Sequence, residues 1–185
     1  MIDFVKSNTS FFVFLAKFIS IYLGISLLYA IYLNSYAGAT FEVDGFTKQV
    51  SIQTKNVLIF FGQDVEISKH PLDTSYKLAL NGKVVARVIE GCNAINVMVL
   101  FTAFVFAFSS TFKKTSLFIL FGIALIHLLN IIRIVLLTIA LYHYPQYKEL
   151  LHGTVFPLFI YGVVFLLWIV WITKFSGYVS TTNAK

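Results

Sequence analysis

Apolar residues in this chain come in long runs separated by short polar stretches. Four runs approach or exceed the about 20 residues a helix needs to cross a bilayer. They are 14–36, 95–112, 117–142 and 155–173. The second is short but free of charge, and the third is long enough to tilt or project. Lys17 lies near the start of the first, where a lysine snorkels to the interface. Between the first two runs the pattern changes. Residues 50–61 are apolar-biased and predict a helix along the membrane surface. Residues 64–68 alternate, and 75–80 and 83–89 are β-prone runs separated by Asn81-Gly82. Asn-Gly between two such runs is a strong hairpin signal. The run 84–89 leads straight into Glu90-Gly91-Cys92. The expected fold is therefore an all-α polytopic membrane protein, with 1–185 as a single membrane domain. It has about four transmembrane helices, and 37–94 form a small extracytoplasmic α+β cap containing a β-hairpin. Ala37-Gly38-Ala39 offers a weak cleavage-like site. The first run exceeds the roughly 7–15 apolar residues of a signal peptide, so a retained helix is expected.

Composition agrees. Of the 185 residues, 58% are hydrophobic and 12% charged, too few polar side chains to cover a soluble domain. One cysteine rules out an internal disulfide framework and a CxxC-type zinc site. The absence of HExxH removes the zinc metalloprotease reading. No GxSxG, P-loop or dinucleotide fingerprint occurs, and neither metal nor cofactor is expected.

Charge sets the orientation. The net charge is +6, yet 37–90 are neutral overall. The surplus brackets the apolar runs, at Lys6, Lys17, Lys113, Lys114, Arg133, Lys174 and Lys185. A nucleic-acid binder would gather a basic soluble face; this pattern fits the positive-inside rule. Lys113-Lys114, between the second and third helices, belong on the cytoplasmic side. Both termini are then cytoplasmic, and 37–94 and 143–154 lie outside.

The membrane plan leaves a few polar residues unexplained. A lone Cys in an apolar chain is ordinarily an inert small residue. Cys92, however, stands among Glu90, Gly91 and Asn93 at a strand-to-helix junction. A helix N-terminus favours the thiolate, the nucleophilic form. Arg133 falls inside the third run, where a charge costs at least ~2.5 kcal/mol and marks a functional site by default. Asn130 and His127 precede it at steps of three, a polar stripe expected to face the bundle interior. His152 stands at the start of the fourth helix. A lone interfacial His is more often passive; His127 and His143 compete for any catalytic role, and His70 is a weaker candidate. Arg133 is about 24 Å up a helix that starts near 117, below the outer edge of a hydrocarbon core roughly 30 Å thick. Cys92 and His152 belong to the same level. Cys, His and Arg suffice for thiol acyl transfer: nucleophile, acid/base and oxyanion stabiliser. Competing readings are a non-enzymatic assembly factor or small transporter subunit, in which Arg133 pairs with lipid or Glu90, and a thiol redox protein, which lacks its second cysteine.

Glu90-Gly91-Cys92-Asn93-Ala94, Asn130-Ile131-Ile132-Arg133-Ile134 and His152-Gly153 together resemble the exosortase/archaeosortase family, most like the short F-type exosortases of Bacteroidetes. The likeness covers 90–172. The family box often carries Ser-Gly after the Cys, where this chain has Asn93-Ala94, and most members have more spans. The resemblance implies a membrane cysteine transpeptidase of the bacterial cytoplasmic membrane, with its active site facing the periplasm. Its substrates would carry a C-terminal sorting signal: a short motif, a transmembrane helix and a basic tail. The acceptor would be a surface lipid or glycan. By carry-over Cys92 is the nucleophile, Arg133 the carbonyl or oxyanion stabiliser and His152 the acid/base, with Glu90, Asn93 and Asn130 in support. The cap is expected to close over the site or to read the motif as an added strand.

Overall fold

A computed structural model describes residues 8–36, 41–108 and 110–176. Ala37-Gly38-Ala39, Lys6 and Lys185 lie outside the described residues.

Helix α1 (Thr9–Asn34) is predominantly apolar, with Lys17 its one charged residue, and has no buried residue. It lies along the bundle through aromatic contacts, with Phe14 4.1 Å from Phe108 between ring centroids. Its cap-side end is held differently. The Tyr32 hydroxyl accepts a hydrogen bond from the Gly45 amide at 3.1 Å.

Helix α2 (Gly45–Phe60) starts at Asp44, whose carboxylate accepts the Thr47 amide at 3.0 Å. That N-cap satisfies one of the orphan donors of the first turn. The helix was expected on the membrane surface. Instead Thr47, Val50, Ser51, Thr54 and Leu58 are buried, spaced as one face of a helix. That face packs between the sheet and the helix at Phe112–His143, because a small sheet needs an apolar layer against it.

The sheet is antiparallel in the order β1-β2-β3, from β1 (Val65–Lys69), β2 (Ser75–Leu80) and β3 (Lys83–Ile89). Asn81 and Gly82 both have positive φ, 50° and 75°, the requirement of the tight turn that matches strand twist. Arg87 and Asp73 pair at 3.1 Å across the exposed side of the sheet.

Helix α3 (Ile95–Ala107) is shorter than the expected 95–112. Thirteen residues rise only about 20 Å. The chain turns at Phe108, and Lys113 and Lys114 fall in the first turn of α4 (Phe112–His143) rather than in a loop. Helix α5 (Pro145–Phe175) also differs from expectation. Residues 145–154, expected as an outer loop, are helical: a 3₁₀ turn, a turn at Lys148–Leu150 and a π turn at Leu151–Val155. Pro145 pre-sets the helical φ at its start. Helices α1, α4 and α5 are long and apolar enough to cross a membrane, and α3 is a shorter apolar helix.

Two apolar cores result. One joins the cap to the cap-side half of α4 through Val50, Leu58, Leu78, Leu80, Val88, Cys92, Ile131 and Ile134. The other joins α3, α4 and α5 through Phe101, Ile126, Val164 and Trp171. In the second, α4 comes so close to Phe101 that a Cβ on Gly122 would collide with its ring. Gly122→Ala is therefore expected to destabilise the protein by about 1–3 kcal/mol, the usual effect of overpacking. Thermal unfolding in detergent checks this, and adding Phe101→Leu should restore much of the loss. An unchanged midpoint in the single variant would refute the close approach.

Candidate active site

Strand β3 runs directly into a 3₁₀ turn, Glu90–Cys92, and then into α3. Four side chains hold this junction. Asn130 of α4 is fully buried, and its amide donates to the Cys92 carbonyl at 2.7 Å. Asn93 is 2% exposed. Its carbonyl oxygen accepts the Ile95 amide at 2.9 Å and so caps α3. Its nitrogen donates to the Tyr29 hydroxyl at 2.8 Å and the Thr47 hydroxyl at 3.2 Å. One side chain thus ties α1, α2 and α3 together. Ala94 follows with φ 63°, ψ 9°, a left-handed conformation that glycine adopts without steric cost.

Cys92 is buried, 8% exposed, against Val88, Ile131 and Ile134. It lines a cavity of about 420 Å³ together with Arg133 and His152. Residues 84–89 form one wall; Ile134, Leu137 and Leu141 of α4 and Lys148 of α5 complete it. Arg133 is half-buried. Its Nη1 donates to the Asn130 carbonyl oxygen at 3.4 Å, whereas its Nε is buried without a hydrogen-bond partner. Asn130 therefore positions both the Cys92 backbone and the guanidinium. His152 is exposed on the π turn that opens α5, close enough to Arg133 for the guanidinium charge to act on its ring.

The structure brings Cys92, Arg133 and His152 to one cavity and sends the competing histidines elsewhere. His127 bonds Gln53 of α2 at 2.9 Å and lines a separate, mostly apolar cavity of about 430 Å³. The stripe expected from His127 through Asn130 to Arg133 thus divides. Six residues of helix turn through about 600°, leaving the end members ~120° apart. His143 is exposed between the Tyr142 and Tyr144 rings. His70 accepts the Leu72 amide at 3.2 Å within its own loop.

Glu90 does not face Cys92. It lines a third cavity of about 350 Å³ with Glu42 and Asp44. Arg133 and Glu90 make no ion pair and lie on different cavities. Burial, and then the Asp44 charge, push the Glu90 carboxyl above the usual glutamate range. Among the described residues no three His, Cys, Asp or Glu side chains are grouped to hold a metal ion.

Sequence reasoning missed Tyr29 and Thr47, the partners of Asn93, because long-range pairing leaves no local pattern. It also missed Lys148. Reading 145–154 as helix would have placed Lys148 one turn before His152 and on the same face.

Fold and site together define a polytopic membrane protein with thiol, guanidinium and imidazole gathered under a small β cap. The chain belongs to the transmembrane exosortase family (Exosortase_EpsH), which it matches over residues 8–173. No curated protein and no solved structure matches it.

Two outcomes follow from this geometry. Relief of the left-handed strain at residue 94, about 1–2 kcal/mol, is offset by loss of one buried methyl, about 0.8 kcal/mol, and by glycine's greater unfolded-state freedom. Ala94→Gly should therefore unfold within about 1 kcal/mol of wild type, while Ala94→Val should unfold well below it. Equal effects of the two would contradict the backbone geometry. For Glu90, a carboxyl raised in the native state binds its proton more tightly folded than unfolded. Its contribution to stability is full below the ordinary glutamate value, about 4.3, and is lost as pH rises through the native value. Glu90→Gln, which mimics the protonated form, should match wild type in acid and exceed its melting temperature at neutral pH. A lower melting temperature at neutral pH would reverse this sign.

Proposed function

We propose that this chain is a membrane cysteine transpeptidase. It cleaves C-terminal sorting signals of surface-destined proteins at the outer face of the bacterial cytoplasmic membrane. Both termini are cytoplasmic and the cap is periplasmic. The observation that carries the reading is a buried thiol lining the same cavity as the Arg133 guanidinium and His152. A substrate carbonyl oxygen entering the cavity would meet the guanidinium beside the thiol.

The chemistry proceeds in two halves. The Cys92 thiolate attacks the scissile carbonyl carbon, and the C=O electrons move to oxygen. Arg133, fixed by Asn130, stabilises that oxyanion. Collapse of the intermediate breaks the C–N bond. His152 gives its proton to the departing amine, leaving a thioester on Cys92. The acceptor hydroxyl or amine, on a lipid or glycan, loses its proton to His152 and attacks the thioester. The new bond forms and the thiol is released. The membrane organises both halves: a substrate anchored by its own helix presents the bond at the interface.

Co-expression with tail-anchored substrates tests this. Cys92→Ala should abolish processing and the thioester adduct seen by mass spectrometry of the intact protein. Arg133→Gln and His152→Ala should each lower the rate by roughly 10²–10³-fold, as loss of an oxyanion donor or an acid/base does. His127→Ala and His143→Ala should retain most activity. Processing that survives Cys92→Ala would refute the proposal.

A further inference from the structure

Strand β3 is an edge. It pairs with β2 on one side alone. Every second residue of such a strand turns its N–H and C=O away from its partner. The cavity that holds Cys92 touches all six residues 84–89 in succession. Consecutive strand side chains point to opposite faces of a sheet. A cavity that follows them without alternation therefore lies along the edge of the strand, not over one face. Across it stand Arg133, Leu137 and Leu141 of α4.

The strand also carries an irregularity. Val84 is opposite Ala79 and Ala86 is opposite Leu78, so Val85 is an extra residue, a bulge. Bulges recur next to active sites, where they re-aim a strand. After Ile89 the chain passes into the turn that ends at Cys92.

Building on the transpeptidase reading above, we infer that the substrate segment preceding the scissile bond binds in extended form along the free edge of β3, as a fourth strand parallel to it. Direction follows from topology. Strand β3 runs from the Asn81-Gly82 tip toward the helical bundle and Cys92. A substrate held by a C-terminal membrane helix runs the same way, from its soluble part toward its anchor. Parallel alignment sets the upstream residues beside 84–88 and the scissile carbonyl beside Cys92. Backbone pairing supplies affinity, and the positions that alternate along the segment supply specificity against the α4 wall.

The experiment uses full-length protein in membranes and a tail-anchored reporter. The reporter has a soluble domain, a randomised segment, an apolar helix and a basic tail, and is selected where possible for release that requires Cys92. Trapping is then done in a Cys92→Ala background, with a single cysteine placed at Val84, Val85 or Ala86. A second cysteine is scanned through the reporter segment. The expected result is disulfide trapping with a period of two, about tenfold stronger at alternate positions. The register should be parallel, with reporter residues nearer the cleavage point trapped by residue 86 and more distal ones by residue 84. Release without β3 trapping, or trapping without the two-residue period, overturns the added strand and leaves the reaction standing. Periodic trapping without release supports the strand and counts against the reaction. A disulfide dimer of the protein formed in preference to the reporter adduct assigns the edge to a second copy and overturns the inference, as does the absence of both release and trapping.

Discussion

The hydrogen bond from Asn130 to the Cys92 carbonyl is the interaction on which the site depends. Both groups are buried where the cap meets the bundle. A buried polar group without a partner costs about 1–3 kcal/mol, so the pair holds one arrangement of strand end and helix face against its alternatives. Asn93 repeats the device from the other side and binds α1, α2 and α3 to the same turn. The backbone of Cys92 and the guanidinium of Arg133 are referred to one amide group. Their relative position is therefore set partly by polar bonds, 2.7 Å to the Cys92 carbonyl and 3.4 Å to the guanidinium, and not by apolar packing alone, which tolerates repacking.

That clamp also explains the two-core architecture. Helix α4 has 32 residues and rises about 48 Å, well beyond a hydrocarbon core of roughly 30 Å. Its cap-side residues Ile131, Ile134 and Val135 pack with the sheet and α2. Its other half packs with α3 and α5. Asn130 lies at the change between the two. Arg133, one turn further on, is at the cap boundary rather than in the bundle centre. Its charge is tolerable there because a cavity, not lipid, lies beside it.

Much of this was legible in the sequence where the signal is local. Hydropathy gives α1, α4 and the main part of α5, and Asn81-Gly82 gives the hairpin. Charge in an apolar run marks Arg133, and a solitary thiol at a strand-to-helix junction marks Cys92. What was not legible depends on partners distant in sequence. The burial of α2 follows from the sheet that packs on it, not from its own modest apolar bias. The end of α3 at Ala107 is invisible because residues 108–112 continue the uncharged run. In the sequence only the family resemblance and the expected depth set His152 above His127. Gln53, far away along the chain, separates them by satisfying His127. Glu90, two residues from Cys92, was grouped with it by proximity, yet its side chain faces another cavity. Neighbours on an irregular turn need not share a direction.

The cavity gathers features that a structural protein would eliminate. An edge strand exposes a row of unpaired backbone groups, and natural proteins cover or charge such edges. A buried guanidinium nitrogen without a partner is costly. A buried thiol beside polar groups brings reactivity without the packing benefit of a larger side chain. Each has a simple remedy elsewhere in this same molecule: Asn93 has its bonds made, His127 has Gln53, and β2 is paired on both sides. A free strand edge, a guanidinium and a thiol lining one space make the pattern expected when the partner is a substrate chain. The strand edge would take its backbone, the guanidinium its carbonyl oxygen and the thiol its carbonyl carbon.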